Sequence, residues 1–290
     1  MSSKEPETMQ LALSERIRRN MDTFTPSEKL AAHALLASYP FAGLETVAQF
    51  ASRASVSAPT ILRFVSRLGF SSYPEFQRGL RSELEAQLET PVTKAPVHDG
   101  SSAGDQGDAS LIHDVADRLQ ENIRATIDST IPAVLNAVIS ALSDEKRNIH
   151  LHGGQFTGSY ASYLATHLRM MRRGVTLLEQ RNWKDRAMDM GRKDVLVLFD
   201  IRRYDPETLQ LARTARSQGA SVILITDTWL SPATREATHL LPAYIRTGHN
   251  WDSTVGILLL CETIITAVTH QLWPKAKERL SAMEQLREGM

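Results

Sequence analysis

One stretch divides this chain before any helix or strand is assigned. Residues 90–110, TPVTKAPVHDGSSAGDQGDAS, are rich in Pro, Gly, Ser and Asp and contain no aromatic side chain. Such a segment cannot bury enough apolar surface to offset the entropy of ordering it, so 89–110 reads as a flexible linker. It separates a domain over 1–88 from a larger one over 111–290, both of ordinary domain size.

The two sides differ in hydrophobic rhythm. The N-terminal side reads as helical throughout. Thr25-Pro26-Ser27-Glu28 is a capping box with proline in the first turn, launching KLAAHALLASY. Pro40 and Gly43 stop that helix, a second is expected over Leu44 to Ala54, and a third over Ala58 to Leu68, ended by Gly69. On the C-terminal side, short apolar runs (NIHLH, VTLLE, DVLVLF, SVILIT, HLLPAYI) alternate with longer helical patterns. DVLVLF and SVILIT are continuous rather than alternating, as in strands covered on both faces. Strands alternating with helices imply βαβ crossovers, hence an α/β doubly wound parallel sheet behind an all-α N-terminal domain.

The most informative stretch is LETVAQFASRASVSAPTILRFVSRLG, residues 44–69. Ala51 supplies the small residue needed where two helices cross steeply, and Ser55 occupies the turn where glycine is commoner. Ile61 and Phe64 then face the core, the spacing of a helix-turn-helix. Ser57 can cap the second helix, with Pro59 in its first turn and Val56 stapled to Ile61. At 100° per residue Ile61, Phe64, Val65 and Leu68 share one face, whereas Pro59, Thr60, Arg63, Ser66 and Arg67 share the other. Two arginines among small hydroxyls suit a DNA major groove, where arginine forks onto guanine and serine or threonine reaches phosphates or base edges. Between residues 53 and 81 the basic side chains are Arg53, Arg63, Arg67, Arg78 and Arg81, against one acid, Glu75. Over the whole chain Lys plus Arg and Asp plus Glu are equal at 33 each, so any polyanion surface has to be local. The bland alternative is a helical hairpin with a solvated basic face.

VSAPTILRFVSRLGFSSYPEFQ also resembles the N-terminal domain of RpiR/MurR-type bacterial transcription regulators, in which Gly-Phe and an aromatic-Pro-Glu-Phe segment follow the recognition helix. Gly69, Phe70, Tyr73, Pro74, Glu75 and Phe76 stand at those positions. The resemblance implies a double-stranded DNA operator as partner, contacted through Ser57, Ala58, Pro59, Thr60, Arg63, Ser66, Arg67 and Tyr73. It also implies a C-terminal SIS (sugar isomerase) domain with flavodoxin-like strand order, sensing an anionic sugar-related effector (a sugar phosphate or a sugar acid). Two-fold operator symmetry further implies a homodimer or homotetramer.

Ligands of open parallel sheets bind beyond the carboxyl ends of the strands. At the first such end, HLHGGQFTGSYASYLATHL places Gly153, Gly154, Gln155 and Thr157 before a helix N-terminus, which favours anions. Gly-Gly after a strand is also an ordinary tight turn. SIS domains commonly carry Gly-x-Gly-x-Ser there; here Gln155 replaces the second glycine and Thr157 keeps the hydroxyl. The third strand runs into Asp200-Ile201-Arg202-Arg203-Tyr204, with neither serine nor glycine, so the usual phosphate cradle is missing. Arg202 and Arg203 can grip an anion by paired hydrogen bonds, or pair instead with Asp200, Asp205 or Glu207. Asp227, Asp252 and Ser253 are further candidate ligand contacts, with Asp252 equally suited to cap the last helix.

The rival class is a sugar-phosphate isomerase with an accessory helical domain. Its proton transfer needs a tuned base, for which His152, His167, His249 and Glu262 qualify by type only, with nothing bringing two of them together. A ligand-free dimerisation scaffold is the third reading. LRMMRR (168–173) reads as a helix end covering the sheet. The single cysteine, Cys261, excludes an internal disulfide framework and a Cys-based zinc site and fits a reducing, cytoplasmic setting. No HxxxH or HExxH pattern suggests a metal, and no cofactor is expected. No apolar run reaches the ~18 residues that span a bilayer, and the polar start MSSKEPETMQ has no signal-peptide core, so no membrane partner is expected.

Overall fold

The computed structural model describes residues 13–88, 108–179, 183–247 and 250–288. The chain divides into two compact units, Met1–Lys94 and Ala95–Met290. Of the expected linker, 89–107 lies outside the described residues, and its last residues, from Asp108, already belong to a helix.

The first unit is helical: α1 (Leu13–Arg19), α2 (Pro26–Ala37), α3 (Phe41–Leu44), α4 (Val47–Arg53), α5 (Ala58–Arg67) and α6 (Tyr73–Leu88). The capping box at α2 forms as expected, Thr25 and Glu28 satisfying each other's backbone N–H. The helix expected over 44–54 starts later. Glu45 is extended and Thr46 is the N-cap, closing a second capping box with Gln49. Phe41–Leu44 is a separate turn, and α6 ties down its end: Gln77 Nε2 donates to the carbonyls of Leu44 (3.0 Å) and Glu45 (2.9 Å). Ser55 takes φ 54°, the left-handed geometry of the turn, and Gly69 takes φ 87° after α5. Ile17, Phe24, Leu35, Phe50, Ala51, Ile61, Phe64, Val65, Leu68, Phe76 and Leu80 form one buried core, with Val56 packed at its edge.

The second unit contains α7 (Asp108–Ser129), α8 (Pro132–Ser143), β1 (Asn148–Gly153), α9 (Gly158–Met171), β2 (Val175–Leu177), α10 (Trp183–Met188), β3 (Asp194–Asp200), α11 (Pro206–Ser217), β4 (Ser221–Asp227), β5 (His239–Ala243) and α12 (Val255–Glu288). The strands form a parallel sheet of order β2-β1-β3-β4-β5, the flavodoxin-like arrangement. Both faces are covered. Ile149, Leu151, Val195, Val197, Phe199, Ile223 and Ile225 pack against α8, α9 and α12. Leu196, Leu198, Val222 and Leu224, alternating with them, pack against α10 and α11. Every residue of β3 is buried, which is why DVLVLF shows no period of two.

Val255–Leu286 is long and apolar enough to cross a membrane by length and composition. Its Ile257, Leu260, Cys261, Ile264, Val268 and Leu272 are nevertheless sealed in the sheet core, the placement of a core helix. The end of LRMMRR has a structural task beyond covering the sheet. Arg172 is buried, and its guanidinium donates to the carbonyls of Leu142 (2.6 Å), Asp144 (3.0 Å) and Arg147, satisfying the C-terminal end of α8 and the turn after it.

Candidate functional site

The outward face of α5 carries Pro59, Leu62, Arg63, Ser66 and Arg67, all exposed, while Ile61, Phe64, Val65 and Leu68 are sealed inside. Thr60 is buried, because at 100° per residue it sits next to the inward arc. Its hydroxyl pairs with Ser57 Oγ (2.9 Å) and accepts from Arg63 Nη2 (3.3 Å), holding that guanidinium at the start of the helix. Ser57 is extended at the N-cap, but its side chain bonds Thr60 rather than a backbone N–H. Ala58 is half-buried against the core. Arg67 donates to Glu28 (2.9 Å) at the start of α2, yet its side chain remains 45% exposed. Contacts with the capping threonine and with Arg67 hold the Glu28 carboxyl below its ordinary pKa although burial opposes them.

Tyr73 is the clearest correction. It is buried, and its hydroxyl donates to the carbonyls of Gly43 (3.1 Å) and Glu45 (2.9 Å), so it braces the α3–α4 corner and is not placed to touch DNA. Burial pushes its pKa up to about 12. The neighbouring residues have structural work too. Glu75 accepts from Ser71 N (2.7 Å), closing the first turn of α6, and Phe76 is buried edge-on to Phe70. Arg53, counted as basic surface, forks onto Glu45.

In the second unit the carboxyl ends of β1, β3 and β4 converge with the start of α12. Gly153 is required by packing: a Cβ there would lie 2.6 Å from the Thr157 carbonyl. Thr157 is buried and its hydroxyl donates to the Phe199 carbonyl (2.8 Å), so it stitches α9 to β3 and is spent for ligand contact. Gln155 is exposed and Gly154 half-buried on the same loop.

After β3 the chain turns sharply, Arg202 taking φ 60°. Asp227 holds the turn, accepting from Arg202 N (2.6 Å), Tyr204 Oη (2.7 Å) and Trp229 N (3.0 Å). It is wholly buried, and burial raises its pKa despite the three donors. Asp227 is therefore a brace of the loop, which corrects its expected ligand role. Arg202 Nε donates to Asp252 (2.7 Å), and its guanidinium lies 4.5 Å from the centroid of the Trp229 ring. Arg246, on the chain leaving β5, reaches the same ring at 5.8 Å. Trp229 and Arg246 were not evident from the sequence; an arginine-flanked tryptophan has no signature until β4, β5 and α12 stand side by side. Arg203 is exposed. Asp205, weighed as a partner for the arginines, instead caps α11 by accepting from Glu207 N (2.9 Å). Asp252 is spoken for by Arg202, while Ser253 Oγ accepts from Val255 N (3.2 Å) at the start of α12. Asp200 is buried, accepts from Ser231 Oγ and Asp205 N, and has its pKa pushed up to about 6, chiefly by burial.

The candidate proton-transfer groups split. His152 is buried on the α10–α11 face, its Nδ1 3.3 Å from the Leu178 carbonyl, and burial lowers its pKa. His167 on α9 and Glu262 on α12 lie on helices packed together and have Tyr163 as a common neighbour. Tyr163 bonds Glu262 through its hydroxyl and stacks edge-on against His167 at 4.7 Å. His249 lies outside the described residues.

A bihelical motif with an exposed basic face, joined to a doubly wound sheet with a charged carboxyl edge, defines a helix-turn-helix protein with an α/β companion domain. Residues 11–87 match the helix-turn-helix domain of the rpiR family, and residues 141–267 match the SIS domain. The chain thus carries an rpiR-family helix-turn-helix domain followed by a SIS domain. It is 28% identical over 231 residues to the bifunctional protein glk of Paraburkholderia xenovorans, covering 78% of this chain and 34% of that protein. This chain thus spans about a third of the length of the glk relatives it matches. It is 25% identical over 233 residues to the HTH-type transcriptional regulator HexR of Pseudomonas aeruginosa, covering 78% of this chain and 76% of that protein. Among solved structures it is similar to the Vibrio vulnificus NanR protein complexed with ManNAc-6P. The TM-score is 0.54 and the identity 18%, covering 94% of this chain and 97% of that one.

Proposed function

We propose that this chain is a DNA-binding transcription regulator. In this reading its SIS unit binds a small anionic sugar-related effector, and effector binding shifts operator affinity. The observation that carries the reading is the division of α5 into a sealed apolar face and an exposed face bearing Arg63, Ser66 and Arg67. Arg63 reads a base edge, Arg67 bridges Glu28 and the phosphate backbone, and Pro59 and Ser66 let the helix lie deep in the groove. A homodimer or homotetramer presents two such helices to a two-fold operator. Effector binding favours one arrangement of the SIS units, and the segment between the two units passes that preference to the helix spacing.

Arg202, Arg246 and the exposed Arg203 form the anion-gripping edge, with Trp229 as a flat floor beneath the first two. An incoming phosphate or carboxylate competes with Asp252 for Arg202. The ManNAc-6P named for NanR supports a sugar phosphate.

The test is a mobility-shift assay of the full chain on the DNA upstream of its own gene, at fixed salt, with Arg63→Ala as control. The expected result is wild-type binding well above that to random sequence and a clear loss in the variant. Binding no better than to random DNA overturns the reading. A thermal-shift screen over sugar phosphates and sugar acids, repeated with Arg202→Ala, tests the effector site. Stabilisation by the same compound at the same concentration in both proteins removes Arg202 from it.

A further inference from the structure

α5 carries one outward side chain whose chemistry the arginine-and-hydroxyl description leaves out. Leu62 is 48% exposed, whereas Ile61, Phe64 and Val65 of the same helix are sealed. Projected at 100° per residue, Leu62 stands beside Ser66 and Pro59 and one step around from Arg63, within the face that enters the groove. An exposed leucine contributes nothing to the core of the first unit. Any apolar partner it takes has to lie among anions, because Arg63 and Arg67 stand on the same exposed face, both on the side of Leu62 away from the sealed Val65.

A second copy of this chain is a poor occupant. A self-complementary contact through Leu62 would bring Arg63 and Arg67 against their own duplicates, and like-charge juxtaposition opposes it. A DNA duplex meets both demands. Its phosphates answer the arginines, and its major groove offers one apolar group, the C5-methyl of thymine.

We infer that Leu62 is a specificity-determining residue that packs on a thymine methyl next to the base pair read by Arg63, giving the operator half-site an obligatory thymine. The inference rests on the DNA-binding reading above. Closing a leucine onto one methyl removes apolar surface from water equivalent to about one methylene, which corresponds to about a fourfold change in affinity.

The experiment first selects a duplex from random sequence with the full chain. Each thymine of one half-site is then replaced singly by uracil, which deletes only the methyl group, and affinity is measured by fluorescence anisotropy at fixed salt. The expected result is one thymine per half-site at which uracil weakens wild-type binding about fourfold. Leu62→Ala should bind the thymine duplex about as weakly as wild type binds the uracil duplex, and should not distinguish the two. Because Leu62 lies outside the core, this variant keeps the fold. Wild-type affinity unchanged by uracil at every position overturns the inference while leaving DNA binding intact. So does a Leu62→Ala variant that retains the full thymine preference. A change of oligomeric state in Leu62→Ala, measured by sedimentation, overturns it in favour of self-association. Selection of no duplex at all overturns the DNA-binding reading itself.

Discussion

Replacing Arg172 by methionine removes a buried guanidinium whose carbonyl partners water reaches only in part. The side chain is only 2% exposed, and its donors reach the Leu142 carbonyl at 2.6 Å, the Asp144 carbonyl at 3.0 Å and the Arg173 carbonyl at 3.1 Å, besides that of Arg147. Methionine keeps much of the apolar stem but leaves these acceptors without the donors. The contact to Leu142 is fully buried, so its carbonyl carries the whole desolvation penalty, about 1–3 kcal/mol. Asp144 is exposed and Arg147 half-buried, so water recovers part of what their carbonyls lose. Each lost charged hydrogen bond there costs a fraction of about 1.5–3 kcal/mol. Burial also depresses the Arg172 pKa, so keeping the charge inside offsets some of the gain. The net expectation is a loss of about 3 kcal/mol. Trp183, Trp229, Trp251 and Trp273 are the chain's 4 tryptophans and all lie in the second unit, so urea denaturation followed by tryptophan fluorescence reports on that unit alone. The exposed neighbour variant Arg173→Met serves as control. A loss below about 1 kcal/mol in Arg172→Met, or an equal loss in the control, would refute the reasoning.

Three other outcomes follow from local geometry. Ser55→Gly should stabilise the first unit by up to about 1 kcal/mol and Ser55→Val should destabilise it, since φ 54° suits glycine and strains a branched residue; circular dichroism melts decide this. Gly153→Ala should destabilise the second unit by about 1–3 kcal/mol, because its Cβ meets the Thr157 backbone, and an unchanged urea midpoint would contradict that. Asp200 has a folded pKa of about 6 against an ordinary 3.8, so its ionisation opposes folding: its contribution is best at low pH and worsens as pH rises from about 4 to 6. Asp200→Asn should therefore gain on wild type across that window by about 3 kcal/mol in relative stability, and a pH-independent difference between the two refutes the assignment.

Much of this architecture was legible along the chain because it is set by neighbours within a dozen residues. The capping box at Thr25, the left-handed turn at Ser55, the sealed face of α5 and the continuous strand runs all follow from side-chain periodicity and turn stereochemistry. Single-residue angular placement was less legible. Thr60 lies between the two faces of α5, and the inward neighbour it meets decides its side.

The pairing of polar groups far apart in sequence is settled by packing instead. Tyr73 meets the α3–α4 corner, Asp227 braces the turn after β3, Arg202 finds Asp252, and Arg172 caps α8. No local pattern separates a ligand-binding aspartate from a loop-bracing one, since both are acids at the end of an apolar run. The partners are chosen by strand order, which sets the ends of β3 and β4 beside the start of α12. A buried charge or carbonyl then takes whichever complementary group the packing brings within hydrogen-bond reach, because leaving it unpaired costs more than the fold can spare.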